Sequence, residues 1–162
     1  MKIYFLMILI TLIALIIGMW IGIYTTGKIL KPIYKRSVDD TNKYQSMYFL
    51  MNRWLQLKQE GRNVKDYFEK NNLTKIAIYG WNDIGIALMQ ELKDSSVEVS
   101  YIIDQNKEGV SADRPVVSPK DELLTVDAIV VAPIFYYDSI EKMLEEKCKM
   151  KIISMEDVID EM

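Results

Sequence analysis

The chain has 162 residues, 50% of them hydrophobic, with 20 basic and 23 acidic side chains, no histidine and one cysteine. That length holds one domain, or one small domain with an appendage. Cys148 has no partner for an internal disulfide and no histidine with which to share zinc, which fits a reducing compartment and argues against a zinc site.

The formal charge of −3 is unevenly spread. Residues 1–36 carry Lys2, Lys28, Lys31, Lys35 and Arg36 and no acidic residue, whereas the other 15 basic residues face 23 acidic ones. An acidic folded part argues against a nucleic-acid partner, which needs a basic face.

From Ile3 to Tyr24 no residue is charged, and most are Ile, Leu, Met or Phe. As a helix these residues reach about 33 Å at about 1.5 Å each, enough to cross a hydrocarbon core. Tyr4 and Phe5 lie at one end and Trp20 and Tyr24 at the other, where interfacial anchors belong. The stretch is long for the apolar region of a signal peptide, and no small-x-small cleavage site follows it. Residues 1–27 are therefore expected to be a permanent membrane anchor. Lys28, Lys31, Lys35 and Arg36 outweigh Lys2, so the expected orientation is N-terminus outside and C-terminal domain in the cytoplasm, in a single pass through the plasma membrane. The same cluster is suited to anionic headgroups. Ala14, Gly18, Gly22 and Thr26 recur every four residues, a small-residue stripe of the kind that lets helix backbones approach. It fits a homodimer or a partner transmembrane helix, and equally the ordinary frequency of glycine in membrane helices.

Residues 28–72 read as a basic flank and helical connector. Lys31-Pro32 marks a break, and Ser37-Val38-Asp39-Asp40 reads as a capping box opening a new helix. Tyr44, Met47, Met51, Trp54 and Leu55, with Tyr48 and Leu50 beside them, give that helix an apolar face up to Glu60, with a stop at Gly61. Asn63 and Asp66 open a shorter helix carrying Val64, Tyr67 and Phe68. The heptad is too short for a convincing coiled-coil stalk. Packing onto the following domain is expected instead, with Trp54 and Phe68 as anchors.

Residues 73–162 alternate strand and helix patterns. Strands are expected at Lys75–Tyr79, Val97–Ile103, Val116–Val117, Val126–Ala132 and Lys151–Ile153. Helices are expected at Ile84–Leu92, from Ser118-Pro119-Lys120-Asp121, at Asp138–Cys148, and after Ser154. Strands separated by helices give an α/β fold with a five-stranded parallel sheet in the order 3-2-1-4-5. A ligand would then enter the crevice where the winding reverses, between the Gly80–Gly85 and Pro133–Asp138 loops.

Gly80-Trp81-Asn82-Asp83-Ile84-Gly85 occupies the place of the G-x-G-x-x-G turn of a dinucleotide-binding fold. Gly80 ends a strand, Gly85 lies in the following helix, and Asp104 ends the second strand, where a carboxylate accepts ribose hydroxyls. That arrangement points to NAD rather than NADP. Asn82 stands where the middle glycine lets pyrophosphate approach, and Asp83 adds charge at the helix start. A Rossmann-like fold that has kept the turn and lost the ligand is the competing reading. Asp104 has its own alternative as a turn-closing side chain. Pro133, Phe135, Tyr136 and Tyr137 border the same crevice, where aromatic rings either stack on a base or sugar or pack on Trp81.

The runs KIAIYGWNDIGIALMQEL, VSYIIDQNKEGV, RPVVSPKDEL and DAIVVAP resemble the small Rossmann-type unit of bacterial surface-polysaccharide proteins. Such units precede the catalytic domain of membrane-bound nucleotide-sugar dehydratase/epimerases and form the N-terminal part of sugar O-acyltransferases. The resemblance covers about residues 75–160 and implies the fold and a link to surface-polysaccharide synthesis, with a polysaccharide-assembly enzyme as candidate partner; NAD or a nucleotide-sugar is the candidate ligand, weakened by Asn82 where those units often carry glycine. The catalytic Tyr-x-x-x-Lys pair of the dehydratases has no counterpart: Tyr136 is followed four residues on by Ile140, and Tyr137 by Glu141. Without a histidine or an activated nucleophile signature, the chain reads as non-catalytic. Three functions follow in order: a membrane-anchored nucleotide or nucleotide-sugar binding accessory protein, a degenerate scaffold for protein interaction, and an NAD-dependent oxidoreductase/epimerase-like enzyme.

Overall fold

The computed structural model describes residues 2–162. It comprises two compact units, the first ending at Lys43 and the second spanning Tyr44–Met162.

Helix α1 runs without interruption over Lys2–Gln59, 58 residues, and includes Pro32. The break expected at Lys31-Pro32 and the new helix start at Ser37 are not formed. A proline removes one donor from a helix. Ending and restarting the helix would strand four carbonyls and four N–H groups. Ser37 is helical, and its carbonyl accepts from Thr41 Oγ1 at 2.8 Å. The apolar N-terminal part of α1 is a candidate membrane span, with a mean hydropathy of 2.8 over its best window and no part of that window buried. α1 stops where expected. Gly61 has φ +84°, its N–H donates to Lys58 O, and Arg62 N–H donates to Leu57 O, the paired bonds of a glycine-terminated helix.

α2, Val64–Lys70, ends on the same motif with Asn72 (φ 56°) as the left-handed residue. Leu73 N–H then reaches back to Phe68 O at 2.9 Å.

The sheet is parallel throughout, in the order β3-β2-β1-β4-β5. The strands are β1 (Lys75–Tyr79), β2 (Glu98–Ile103), β3 (Val116–Val117), β4 (Ala128–Val131) and β5 (Lys151–Ser154). With α3 (Asp83–Leu92), α4 (Tyr137–Glu145) and α5 (Met155–Asp160), this is a Rossmann-like α/β fold. Ser154 caps α5 by accepting from Glu156 N–H.

The helix expected from Ser118 does not form. The cap does: Asp121 N–H donates to Ser118 O at 3.0 Å, and Ser118 N–H to Asp121 Oδ2 at 2.9 Å. Beyond it residues 122–126 are irregular. Path length decides this. β3 and β4 lie three strand spacings apart, about 14 Å at about 4.8 Å each, and the chain must also return to the opposite sheet edge. Residues 118–127 would cover only about 15 Å as a helix at about 1.5 Å per residue. Extended chain covers about 33 Å at about 3.3 Å per residue. Tyr101 hydroxyl fixes the extended segment by donating to Leu124 O at 2.6 Å. Between β2 and β3 there is only a short 3-10 turn, Lys107–Gly109.

Two apolar layers flank the sheet. On one face Ile76, Ile78, Ala128, Val130 and Ile153 meet α3 and α5, together with Val64 and Phe68 of α2 and Leu50, Trp54 and Leu57 of α1. On the other, Tyr79, Tyr101, Ile129 and Val131 meet Ile140 and Leu144 of α4. β4 is buried at every position and feeds both layers alternately. Packing of Trp54 and Phe68 into the domain core is as expected. The inward stripe of α1 agrees with the expected one in part: Met47, Leu50 and Trp54 face the core and are joined by Leu57, whereas Tyr44 and Leu55 are 60% and 57% exposed.

Candidate functional site

The crevice at the carboxyl ends of β1 and β4 begins with Gly80. Its φ of +91° lies in the left-handed region, and a Cβ there would sit 2.7 Å from Pro133 Cδ and Cγ. Gly85 is equally constrained, since a Cβ would meet Gly80 O at 2.3 Å. Both glycines of the loop therefore serve close packing of the turn against α3 and against the start of the Pro133 loop. Gly80 N–H donates to Ile103 O at 2.8 Å, which ties the turn to β2.

Between the glycines the loop is bound to itself. Asn82 is the N-cap of α3, and its Oδ1 accepts from Gly85 N–H at 3.0 Å. That amide is one a phosphate would seek at a helix start. Asp83 is exposed in the first turn of α3, where its charge suits the helix dipole. Ile84 is buried in the core. Asp104 uses both oxygens: Oδ2 accepts from Trp81 N–H at 2.8 Å, and Oδ1 from Asn106 N–H at 2.8 Å. The carboxylate thus stitches the loop after β1 to the loop after β2.

On the facing loop, Pro133 leads into a 3-10 turn, Ile134–Tyr136. Phe135 and Tyr136 pack edge to face, with ring centroids 5.1 Å apart, and both are partly exposed. Tyr137 turns away to the α4 face of the sheet. Its hydroxyl donates to Glu141 Oε1 at 2.6 Å, and burial, followed by that acidic neighbour, pushes its pKa upward. Such a phenol is a poor proton donor or acceptor near neutral pH. Among the described residues, no three His, Cys, Asp or Glu side chains are grouped to hold a metal ion.

The fold thus brings Gly80, Trp81, Asn82, Gly85, Asp104 and Pro133 into one constellation, with Tyr136 on the loop beyond it. A residue that sequence reasoning missed is Asn106, which completes the Asp104 turn; an aspartate followed two residues later by asparagine is a signal for it. No family model matches the sequence, and no curated protein matches it.

Proposed function

We propose that the chain is a membrane-anchored, non-catalytic adaptor whose Rossmann-like domain positions a partner protein at the membrane surface. The observation that carries this reading is the self-satisfied loop. Asn82 occupies the amide of Gly85, and Asp104 spends both oxygens on Trp81 and Asn106. A pyrophosphate would have to displace Asn82 to reach the Gly85 amide, whereas a scaffold keeps that bond. The resemblance of residues 75–160 to units of surface-polysaccharide proteins supports a polysaccharide-assembly enzyme as the partner class. The basic cluster Lys28–Arg36 supports a cytoplasmic domain. The stripe of Ala14, Gly18, Gly22 and Thr26 supports contact within the bilayer with a partner helix or a second copy. Crosslinking in native membranes, with Gly18→Leu and Gly22→Leu as comparisons, tests the adaptor role. Crosslinked partner or dimer that both substitutions diminish is expected; recovery of monomer alone overturns it.

The second reading, an accessory protein that binds NAD or a nucleotide-sugar, is favoured by the left-handed Gly80 turn leading into α3 beside the Pro133 loop. Thermal stability of the full chain in detergent with NAD, NADP, UDP-sugars or CoA at millimolar concentration separates the two. A weakened site gives a shift that Asn82→Gly enlarges. The adaptor reading expects no shift in either protein.

A further inference from the structure

A second cleft lies on the α4 face of the sheet, where the β3–β4 connection runs extended. A crossover helix there would lie over β1 and β2 and fill the space beside α4. Instead a cleft of ≈ 450 Å³ is lined by Tyr79, Gln105, Ser118, Pro119, Lys120 and Met143. Tyr79 ends β1, Gln105 follows β2, and Ser118–Lys120 follow β3, so the cleft sits at the carboxyl edge of the sheet. Its size falls within the range of small-molecule sites, about 300 to 1,000 Å³.

One lining group has an unmet need. Tyr79 is 3% exposed, and its hydroxyl is buried without a hydrogen-bond partner. Buried hydroxyls are almost always paired, because an unpaired one forfeits its bonds to water. Of the neighbouring polar groups, Ser118 Oγ accepts from Lys120 N–H and Asp121 is held by Ser118 N–H and Lys107, and none of them reaches the Tyr79 hydroxyl. Lys147 Nζ donates to the carbonyls of Pro119 and Asp121. No carboxylate side chain is among the described lining residues, and Lys120, which lines the cleft, is exposed. Gln105, Lys120 and Met143, which line the cleft beside Tyr79, are unbranched chains with several accessible rotamers.

We infer that this cleft binds a small organic anion. Its carboxylate or phosphate pairs with Lys120, an uncharged acceptor takes the Tyr79 hydroxyl proton, and its body lies against Pro119 and Met143. The cleft adjoins the candidate crevice, with Tyr79 next to Gly80 and Gln105 next to Asp104, and the inference does not depend on the adaptor reading. Saturation-transfer NMR on the full chain in detergent micelles tests it, with UMP, glucose 6-phosphate and 2-oxoglutarate as probes and uridine and glucose as uncharged counterparts. At least one anion is expected to bind at millimolar concentration or below, with its uncharged counterpart at least about tenfold weaker. Tyr79→Phe and Lys120→Gln should each weaken that anion at least about fivefold while circular dichroism stays unchanged. Lys120 is a surface residue, so its substitution leaves the core intact even if Tyr79→Phe disturbs packing. Binding by none of the probes would mean that the hydroxyl meets water alone, and the inference falls. It falls equally if an anion binds with the same affinity to wild type and to Lys120→Gln.

Discussion

Glu91 illustrates how single residues hold this domain together. Its Oε2 accepts from Trp54 Nε1 at 3.1 Å, and its Oε1 accepts from Val64 N–H at 3.0 Å and from Lys58 Nζ at 3.0 Å. One side chain of α3 thereby satisfies the indole of α1 and the first amide of α2. Trp54 and Val64 are 4% and 0% exposed, so neither donor has ready access to water. Glu91→Ala is expected to destabilise the domain by about 2–4 kcal/mol, at about 1–2 kcal/mol per stranded donor. Glu91→Gln, which keeps one acceptor, should cost about half as much. Urea unfolding followed by tryptophan fluorescence measures both. Asp127 is a different case, exposed yet heavily bonded: its Oδ2 accepts from Lys75 N–H at 2.8 Å, Thr74 N–H at 2.9 Å and Thr74 Oγ1 at 3.2 Å. Those backbone amides, that of Lys75 first, hold its pKa below the ordinary carboxylate value. Asp121 is lowered too, first by Ser118 N–H and then by Lys107. A depressed folded pKa contributes stability above the unfolded value, and that stability is lost as pH falls through the folded one. The window is therefore below about pH 4. Melting temperature should fall as pH is lowered there in the wild type, and fall less in Asp127→Asn, whose starting value at neutral pH is lower. Equal slopes in the two proteins would show that the carboxylate is not linked to folding.

At the scale of elements, the C-terminal turns of α1 belong to the domain core. Leu50, Trp54 and Leu57 pack on the layer formed by α2, α3 and α5. Removing three large buried side chains forfeits roughly 4.5–9 kcal/mol at about 1.5–3 kcal/mol each, comparable with the whole stability of a small domain. A fragment beginning at Tyr44 should melt cooperatively, whereas one beginning at Arg62 should lack a cooperative transition; calorimetry of the two decides. Much of this architecture is legible in the sequence, because strands such as Lys75–Tyr79 and Val116–Val117 are apolar runs with clear boundaries and Gly61 is an unambiguous stop. The segment from Ser118 was misread because a cap is a local signal, while the distance from β3 to β4 is a property of the finished sheet. The inward face of α1 was misplaced in part for a related reason. Tyr44, Met47, Met51, Trp54 and Leu55, with Tyr48 and Leu50, make a broad apolar face, and only tertiary packing keeps Met47, Leu50 and Trp54, adds Leu57 and leaves Tyr44 and Leu55 outside. In the loop, the turn closed by Asp104 was one of two readings open in the sequence, whereas the Asn82 cap on Gly85 N–H was not read from it. The unpaired Tyr79 hydroxyl was not legible, since it depends on how a distant connection covers β1.

For the molecule as a whole, the decisive asymmetry lies along α1. Its apolar part is a candidate span, and the charges beside it are one-sided: Lys28, Lys31, Lys35 and Arg36 follow it and only Lys2 precedes it. Positive residues close to a span are retained on the cytoplasmic side, and anionic lipid there adds about 1 kcal/mol for each basic residue at the surface. The unit Tyr44–Met162 follows those charges in the chain, so it is expected on the side they choose. Protease added to intact spheroplasts is therefore expected to leave the C-terminal domain whole and to degrade it only after the membrane is opened. Replacing Lys28, Lys31, Lys35 and Arg36 with glutamine and adding three lysines after Lys2 should reverse the protection in a substantial fraction of molecules. Loss of the domain from intact spheroplasts carrying the wild-type chain would place it outside. That result would also remove the basis for a partner in the cytoplasm.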